Sequence, residues 1–106
     1  MTKMIKYDKL VRDRIPEIIE ADGKKAVTRV LGIEETKNYL GLKLKEELEE
    51  YLTSNQVEEL ADLQEVIFAL LECHGITRSE FEKIRLKKVK QRGAFSRKLL
   101  LEAVIE

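Results

Sequence analysis

The sequence is poor in residues that form cross-links, because it holds one cysteine and one histidine among 106 residues. Cys73 therefore cannot form an internal disulfide, and together with His74 it falls short of the Cys/His set of a zinc site. The longest unbroken apolar run, Val66 to Leu71, is far shorter than the roughly 20 residues of a membrane span. The N-terminus also lacks an apolar stretch of signal-peptide length. We therefore expect a cytoplasmic protein with no membrane partner.

An excess of positive charge is absent as well, since 20 Lys and Arg balance 20 Asp and Glu. This balance argues against a nucleic acid as partner. The sequence has no P-loop, no GxGxxG and no nucleophile elbow, so P-loop NTPase, Rossmann and serine-hydrolase functions have no support. The length predicts one domain over residues 1–106. A chain this short buries only about two-thirds of its unfolded surface, so association with further copies is expected.

What the sequence does contain is charge arranged in blocks. Eight carboxylates and no Lys or Arg lie between Glu46 and Glu65, whereas nine bases and two acids lie between Arg78 and Lys98. Such blocks are typical either of solvated faces or of a site that handles opposite charges. The spacing of the acids must distinguish these two possibilities.

Apolar periodicity and capping residues predict a mainly α-helical chain. The expected helices are a short one after the N-cap Asp13, one from Glu34 to about Leu52, one from Asn55 to His74 and one from Thr77 to about Gln91. Asn55 with Glu58, and Thr77 with Glu80, resemble capping boxes. Residues 26–31 and 99–104 are expected to supply one or two short β-strands. The short break after Leu52 predicts that the two long helices pack as an antiparallel hairpin.

The hairpin helices carry acids beside their apolar stripes. In the first, the stripe is Leu40, Leu44, Leu48 and Tyr51; in the second, it is Leu60, Leu63, Ile67, Leu70 and Leu71. Glu47 and Glu50 lie roughly 55° and 115° from the first stripe, whereas Glu46 and Glu49 point to the far side. Glu59 and Asp62 lie roughly 60° and 120° from the second stripe, on the same rotational flank.

Flanks of equal rotational sense meet on one side of an antiparallel pair, so these four carboxylates can converge. Converging carboxylates repel each other and either raise their pKa values or hold cations. Oxygen ligands suit a hard divalent ion such as Mg²⁺, or Mn²⁺, which commonly bridges protein carboxylates and substrate phosphates. Lys9 with Arg12, and Lys88 with Arg92, could hold such phosphates. Solvated acidic and basic faces remain the alternative at this point.

Four segments together resemble the MazG-type all-α nucleotide pyrophosphohydrolases: Tyr7-Asp8-Lys9-Leu10-Val11-Arg12-Asp13-Arg14-Ile15-Pro16-Glu17-Ile18-Ile19, Glu46-Glu47-Leu48-Glu49-Glu50, Glu59-Leu60-Ala61-Asp62 and Arg92-Gly93-Ala94-Phe95. The likeness is to the short phosphoribosyl-ATP pyrophosphohydrolase-like members and spans about residues 5 to 100. The sequence departs from the family pattern in two places: the linker from Tyr51 to Glu58 is short, and Ala94 replaces a frequent glycine.

The resemblance implies a function and an assembly. It places Mg²⁺ on Glu47, Glu50, Glu59 and Asp62, and it implies hydrolysis of a nucleoside triphosphate or related nucleotide between the α- and β-phosphates, giving monophosphate and pyrophosphate. Lys9, Arg12, Lys88 and Arg92 would bind the polyphosphate, and Glu50 could orient or deprotonate the attacking water. The implied assembly is a homodimer or homotetramer in which the hairpin completes a four-helix-type bundle.

Two other functions stay open at this stage. A helical dimerisation or regulatory module would use the acidic helix to bind a basic partner without a metal. A nucleotide-binding protein without turnover would keep the site and lack the reaction.

Overall fold

The structure, a computed structural model, describes residues 3–106 and contains four α-helices in that range. They are α1 (Ile15–Ala21), α2 (Ile33–Ser54), α3 (Val57–Cys73) and α4 (Arg78–Arg92). The prediction of a mainly helical chain is confirmed. The chain divides after Gly75 into two compact units, the first with α1 to α3 and the second, Ile76–Glu106, with α4. No helix among the described residues is long and apolar enough to cross a membrane.

The prediction of short β-strands is wrong. Residues 26–31 and 99–104 form neither helix nor strand in the described chain. A strand needs a neighbour that accepts and donates its backbone hydrogen bonds, and a surface on which one of its faces is buried. Val27 and Val30 are instead 88% and 98% exposed, and Leu99 to Leu101 are also exposed. The β-branched composition indicates a strand, but no described segment lies beside these residues as a second strand.

Two predicted N-caps are also wrong. The N-cap of α1 is Arg14 instead of Asp13, because the amide of Ile15 bonds to the carbonyl of Arg12 and closes a turn that contains Asp13. Asn55 is the C-cap of α2 and not the N-cap of the next helix: it adopts the left-handed conformation, with φ 55°, and its amide donates to the carbonyl of Tyr51 at 2.7 Å. Asparagine is among the few non-glycine residues that adopt this conformation readily.

The remaining cap of the sequence prediction is confirmed. The hydroxyl of Thr77 accepts a hydrogen bond from the amide of Glu80 at 3.1 Å, which satisfies one of the free amides at the start of α4. At the C-terminal end of the first unit, Gly75 has φ +70° directly after the C-cap His74 of α3. Glycine adopts this conformation without steric strain, so the chain leaves the helix there.

Helices α2 and α3 pack against each other, and the two-residue link Asn55–Gln56 makes them an antiparallel hairpin. The described apolar core lies on this pair and consists of Leu40, Val66 and Leu71. Leu48, which belongs to the predicted stripe of α2, is 46% exposed, whereas Leu40 is 4% and Glu47 6% exposed. The buried face of α2, which contains Leu40 and Glu47, is thus rotated about the helix axis by roughly 45° from the centre of the predicted stripe, toward the acids.

Candidate metal centre

Glu47 is the innermost acid of the hairpin. It lies in the middle of α2, seven residues after Leu40, and the two side chains lie on the same buried face of the helix. Its nearest cation is Lys43, one turn earlier, whose Nζ lies 3.6 Å from Glu47 Oε1 and 3.7 Å from Glu46 Oε1. One half-buried ammonium therefore serves two carboxylates. Because Glu46 also pairs with Lys9, the charge of Glu47 is the less compensated of the two.

Glu47 is a member of two groups of three carboxylates. One is formed by Glu46, Glu47 and Glu50 along α2; the other joins Glu47 to Glu59 and Asp62 of α3. We call them the α2 triad and the interhelix triad. In each triad one oxygen from every residue lies within 4.8 Å of the others. Each set could hold a metal ion, and Glu47 belongs to both.

The electrostatics of the cluster show how closely the carboxylates approach. Burial raises the pKa of Glu47 above its ordinary value, Glu50 raises it further, and Lys43 partly offsets both effects. Burial also raises the pKa of Glu59, and the neighbouring Glu50 and Asp62 add to this rise. Glu50 thus acts on acids of both triads. All four carboxylates selected by the helical wheel interact in the folded chain.

The cluster also contains oxygens with no hydrogen-bond partner. Glu47 Oε2 and Glu59 Oε2 are both buried, and no described residue forms a hydrogen bond with either oxygen. An unpaired buried carboxylate oxygen is costly, because the charge has left water without gaining a donor. A divalent cation that prefers oxygen ligands would supply the missing partner to both atoms. The residues present therefore fit a hard cation such as Mg²⁺.

The structure brings two of the four predicted phosphate-binding cations to this cluster. Lys9 Nζ lies 3.2 Å from Glu46 Oε1, and Arg12 Nη2 lies 2.6 Å from Asp62 Oδ1. Both bases belong to residues 3–14, which precede α1 and which we call the N-terminal arm. An open pocket of about 480 Å³ beside the cluster is lined by Lys9, Glu50 and Glu59, among others.

Lys88 and Arg92, the other two predicted phosphate-binding residues, lie on α4 in the second unit. Both side chains are exposed, and Arg92 is the last residue of the helix. Their spacing of four residues places them on one helix face. Their role in binding phosphate stays a prediction.

Sequence reasoning missed two members of the site. Glu46 was expected on the far side of α2, but it forms part of the α2 triad and pairs with Lys9 and Lys43. On the wheel it lies only roughly 40° beyond Glu50, a distance that a flexible glutamate side chain covers. The second missed residue, Lys43, could have been found from its spacing, because residues three and four positions apart are neighbours on a helix.

Comparison with known proteins adds no relative to this picture. No protein-family model, curated protein or solved structure matches the chain.

Proposed function

We propose that this chain is a Mg²⁺-dependent nucleotide pyrophosphohydrolase. Its reaction would cleave a nucleoside triphosphate or a related nucleotide between the α- and β-phosphates, releasing a monophosphate and pyrophosphate. The proposal combines the acidic cluster of the hairpin with the resemblance of its motifs to the MazG-type enzymes. Mn²⁺ would be an alternative metal, because it accepts the same oxygen ligands.

One observation carries the proposal above the others. Glu47 is 6% exposed, belongs to both triads and has a buried oxygen without a hydrogen-bond partner. A solvated acidic face would instead turn its carboxylates into water, as Glu58 and Glu65 do on α3. A buried acid with raised pKa in a cluster of like charge is typical of a functional site. This contrast favours a cation site over a solvated surface.

The site residues selected from the sequence each have a part in the proposed reaction. Glu47, Glu50, Glu59 and Asp62 would hold the metal, which when bound supplies charge neutralisation of phosphate oxygens and a more acidic water. Lys9 and Arg12 would neutralise the polyphosphate from the N-terminal arm, and for Lys88 and Arg92 we keep the phosphate-binding role that the resemblance implies. Glu50 is exposed, so its carboxylate can reach a solvent water, and we assign it the role of orienting or deprotonating the nucleophile.

The apolar surface of the hairpin supports a homodimer or homotetramer. Leu48 and Leu60 belong to the predicted stripes of α2 and α3, yet they are 46% and 44% exposed. Covering these stripes with the hairpin of a second copy would complete a four-helix-type bundle and bury apolar area that the single chain leaves in water. Sedimentation analysis of the purified chain tests this assembly.

The enzymatic proposal is tested with a panel of nucleotides. The purified chain is incubated with each nucleotide and Mg²⁺, and monophosphate and pyrophosphate are measured separately. We expect both products in equal amounts from at least one nucleotide, and none in the presence of EDTA. Orthophosphate as the product would contradict cleavage between the α- and β-phosphates.

Two matched substitutions place the reaction at the cluster. Asp62→Asn removes one charge from the interhelix triad, whereas Glu65→Gln removes one charge from an exposed position on the same helix. We expect Asp62→Asn to abolish product formation and Glu65→Gln to retain it, with the helical circular dichroism of both variants unchanged. Activity retained in Asp62→Asn would remove the interhelix triad from the reaction. Absence of hydrolysis in the wild-type chain, with nucleotide still bound, would favour a binding protein without turnover.

A further inference from the structure

The N-terminal arm lies against the acidic cluster through two ion pairs. Lys9 pairs with Glu46, and Arg12 pairs with Asp62. The arm itself has no helix or strand over residues 3–12, so its position on the hairpin depends on side-chain contacts more than on regular backbone structure. These two pairs connect the arm to both α2 and α3.

The two pairs are distributed evenly over the cluster. Glu46 is a member of the α2 triad and Asp62 is a member of the interhelix triad. Each triad therefore carries one cation from the arm, bound to a carboxylate on its outer side. Within residues 3–106, the shared inner acid, Glu47, receives only the more distant contact of Lys43, at 3.6 Å. The arm thus neutralises part of the charge that a divalent cation would otherwise neutralise.

We propose that the N-terminal arm is an internal counter-ion that competes with the divalent cation. Without metal, Lys9 and Arg12 occupy the carboxylates of Glu46 and Asp62. Binding of a divalent cation to the triads releases these bases, because a dication and a guanidinium or ammonium within a few ångströms repel each other. The freed bases then meet the phosphates of the substrate, a step that rests on the function proposed above. Metal would accordingly bind before nucleotide.

The contacts are of a kind that can exchange. The side chains of Lys9 and Arg12 are 52% and 56% exposed, so their release returns them to water instead of stranding them in the protein. Exposed ion pairs are weak, and their loss changes an equilibrium by about two- to fivefold. A divalent ion would also pair the buried oxygens of Glu47 and Glu59, which the two arm cations leave without a partner.

The competition has a signature in metal affinity alone. Arg12→Gln removes the competing cation from Asp62, so we expect its Mg²⁺ dissociation constant, measured by isothermal titration calorimetry without nucleotide, to fall about two- to fivefold. Arg14→Gln is the matched control, because it removes the same charge from the same arm but breaks a pair with Glu17, outside the cluster. We expect the control to bind Mg²⁺ with wild-type affinity.

A second measurement follows the arm directly. In the wild-type chain, the guanidinium ¹⁵N resonances of Arg12 should move toward those of a free arginine as Mg²⁺ is added, while those of Arg14 stay in place. Arg12 resonances that do not respond to saturating Mg²⁺ would contradict release of the arm.

The outcomes separate this proposal from the enzymatic one. Equal Mg²⁺ affinity in the wild type and Arg12→Gln, or equal tightening in Arg12→Gln and Arg14→Gln, overturns the competition and leaves the pyrophosphohydrolase proposal standing. Tightening confined to Arg12→Gln, together with no hydrolysis of any nucleotide, supports the competition and overturns the enzymatic function. A wild-type chain that binds no Mg²⁺ overturns both proposals.

Discussion

Replacing Glu47 by glutamine should change thermal stability in opposite directions with and without Mg²⁺. Glutamine keeps the size of the side chain and removes its charge. In EDTA the substitution takes a buried, incompletely paired charge away from Glu50 and Asp62, and Lys43 retains Glu46 as a partner. We therefore expect the melting temperature of metal-free Glu47→Gln to exceed that of the wild type.

With Mg²⁺ the sign reverses, and the size of the effect follows from linkage. At an Mg²⁺ concentration of 100 times its dissociation constant, a single site stabilises the wild type by about 2.7 kcal/mol. For a domain of this size, that free energy raises the melting temperature by about 11–22 °C. Glu47 belongs to both triads, so we expect its loss to weaken Mg²⁺ binding by about 100-fold. That factor is the upper end of the range found when a residue that only hydrogen-bonds to a metal ligand is replaced. The remaining stabilisation is about 0.4 kcal/mol, or about 2–3 °C.

Differential scanning calorimetry in EDTA and in Mg²⁺, at one protein concentration, measures both signs. Glu65→Gln is the control, because it carries the same substitution at an exposed position of α3; its Mg²⁺-induced shift should equal that of the wild type. A full Mg²⁺-induced shift in Glu47→Gln would remove Glu47 from the metal site. A lower melting temperature of Glu47→Gln in EDTA would refute the argument that its charge is poorly compensated.

Two further predictions concern pH and the start of α4. The pKa values of Glu47 and Glu59 are raised in the folded chain above the ordinary 4.5, so the folded state binds more protons than the unfolded state above pH 4.5. In EDTA, their contribution to stability is therefore fully present below pH 4.5 and is lost as the pH rises through the folded pKa values. We expect the melting temperature to fall between pH 4.5 and 7.5, and an equally large fall in Glu47→Gln would contradict the assignment of this effect to Glu47. Thr77→Ala removes the hydroxyl that accepts a hydrogen bond from the amide of Glu80, and it should destabilise α4 by about 1 kcal/mol. We expect faster hydrogen exchange at the Glu80 amide, and an unchanged exchange rate would contradict the role of this cap.

The sequence predicts well what depends on a single helix. Spacing along α2 and α3 was sufficient to select Glu47, Glu50, Glu59 and Asp62, because the angle between residues of one helix is fixed by its geometry. The short link between the helices then determines which flanks meet. The Thr77 cap was found for the same reason, since an N-cap and the amide it accepts from are only three residues apart.

The sequence predicts poorly what depends on a partner elsewhere in the chain. Residues 26–31 have the composition of a strand, but no segment in the described chain pairs with them. Asn55 suits either end of a helix, and only the reversal between α2 and α3 decides that it adopts the left-handed conformation. The pairing of Arg12 with Asp62, across 50 residues of sequence, leaves no periodic signal at all.

The arrangement of charge in the hairpin is itself an argument for function. A helix pair gains stability when the line between its helices is apolar, yet the line of α2 that holds Leu40 also holds Glu47. In the described chain, the cluster has two unpaired buried oxygens and raised pKa values at two acids, and Lys43 is the one cation that pairs with Glu47. Each of these features costs stability in the metal-free chain. A divalent cation bound by these acids would remove all of them together, because it would pair the free oxygens and offset the repulsion between the carboxylates. The reduced stability of the metal-free chain is therefore expected for a cation site without its ion. A purely structural or solvated acidic face would be more stable with these carboxylates in water.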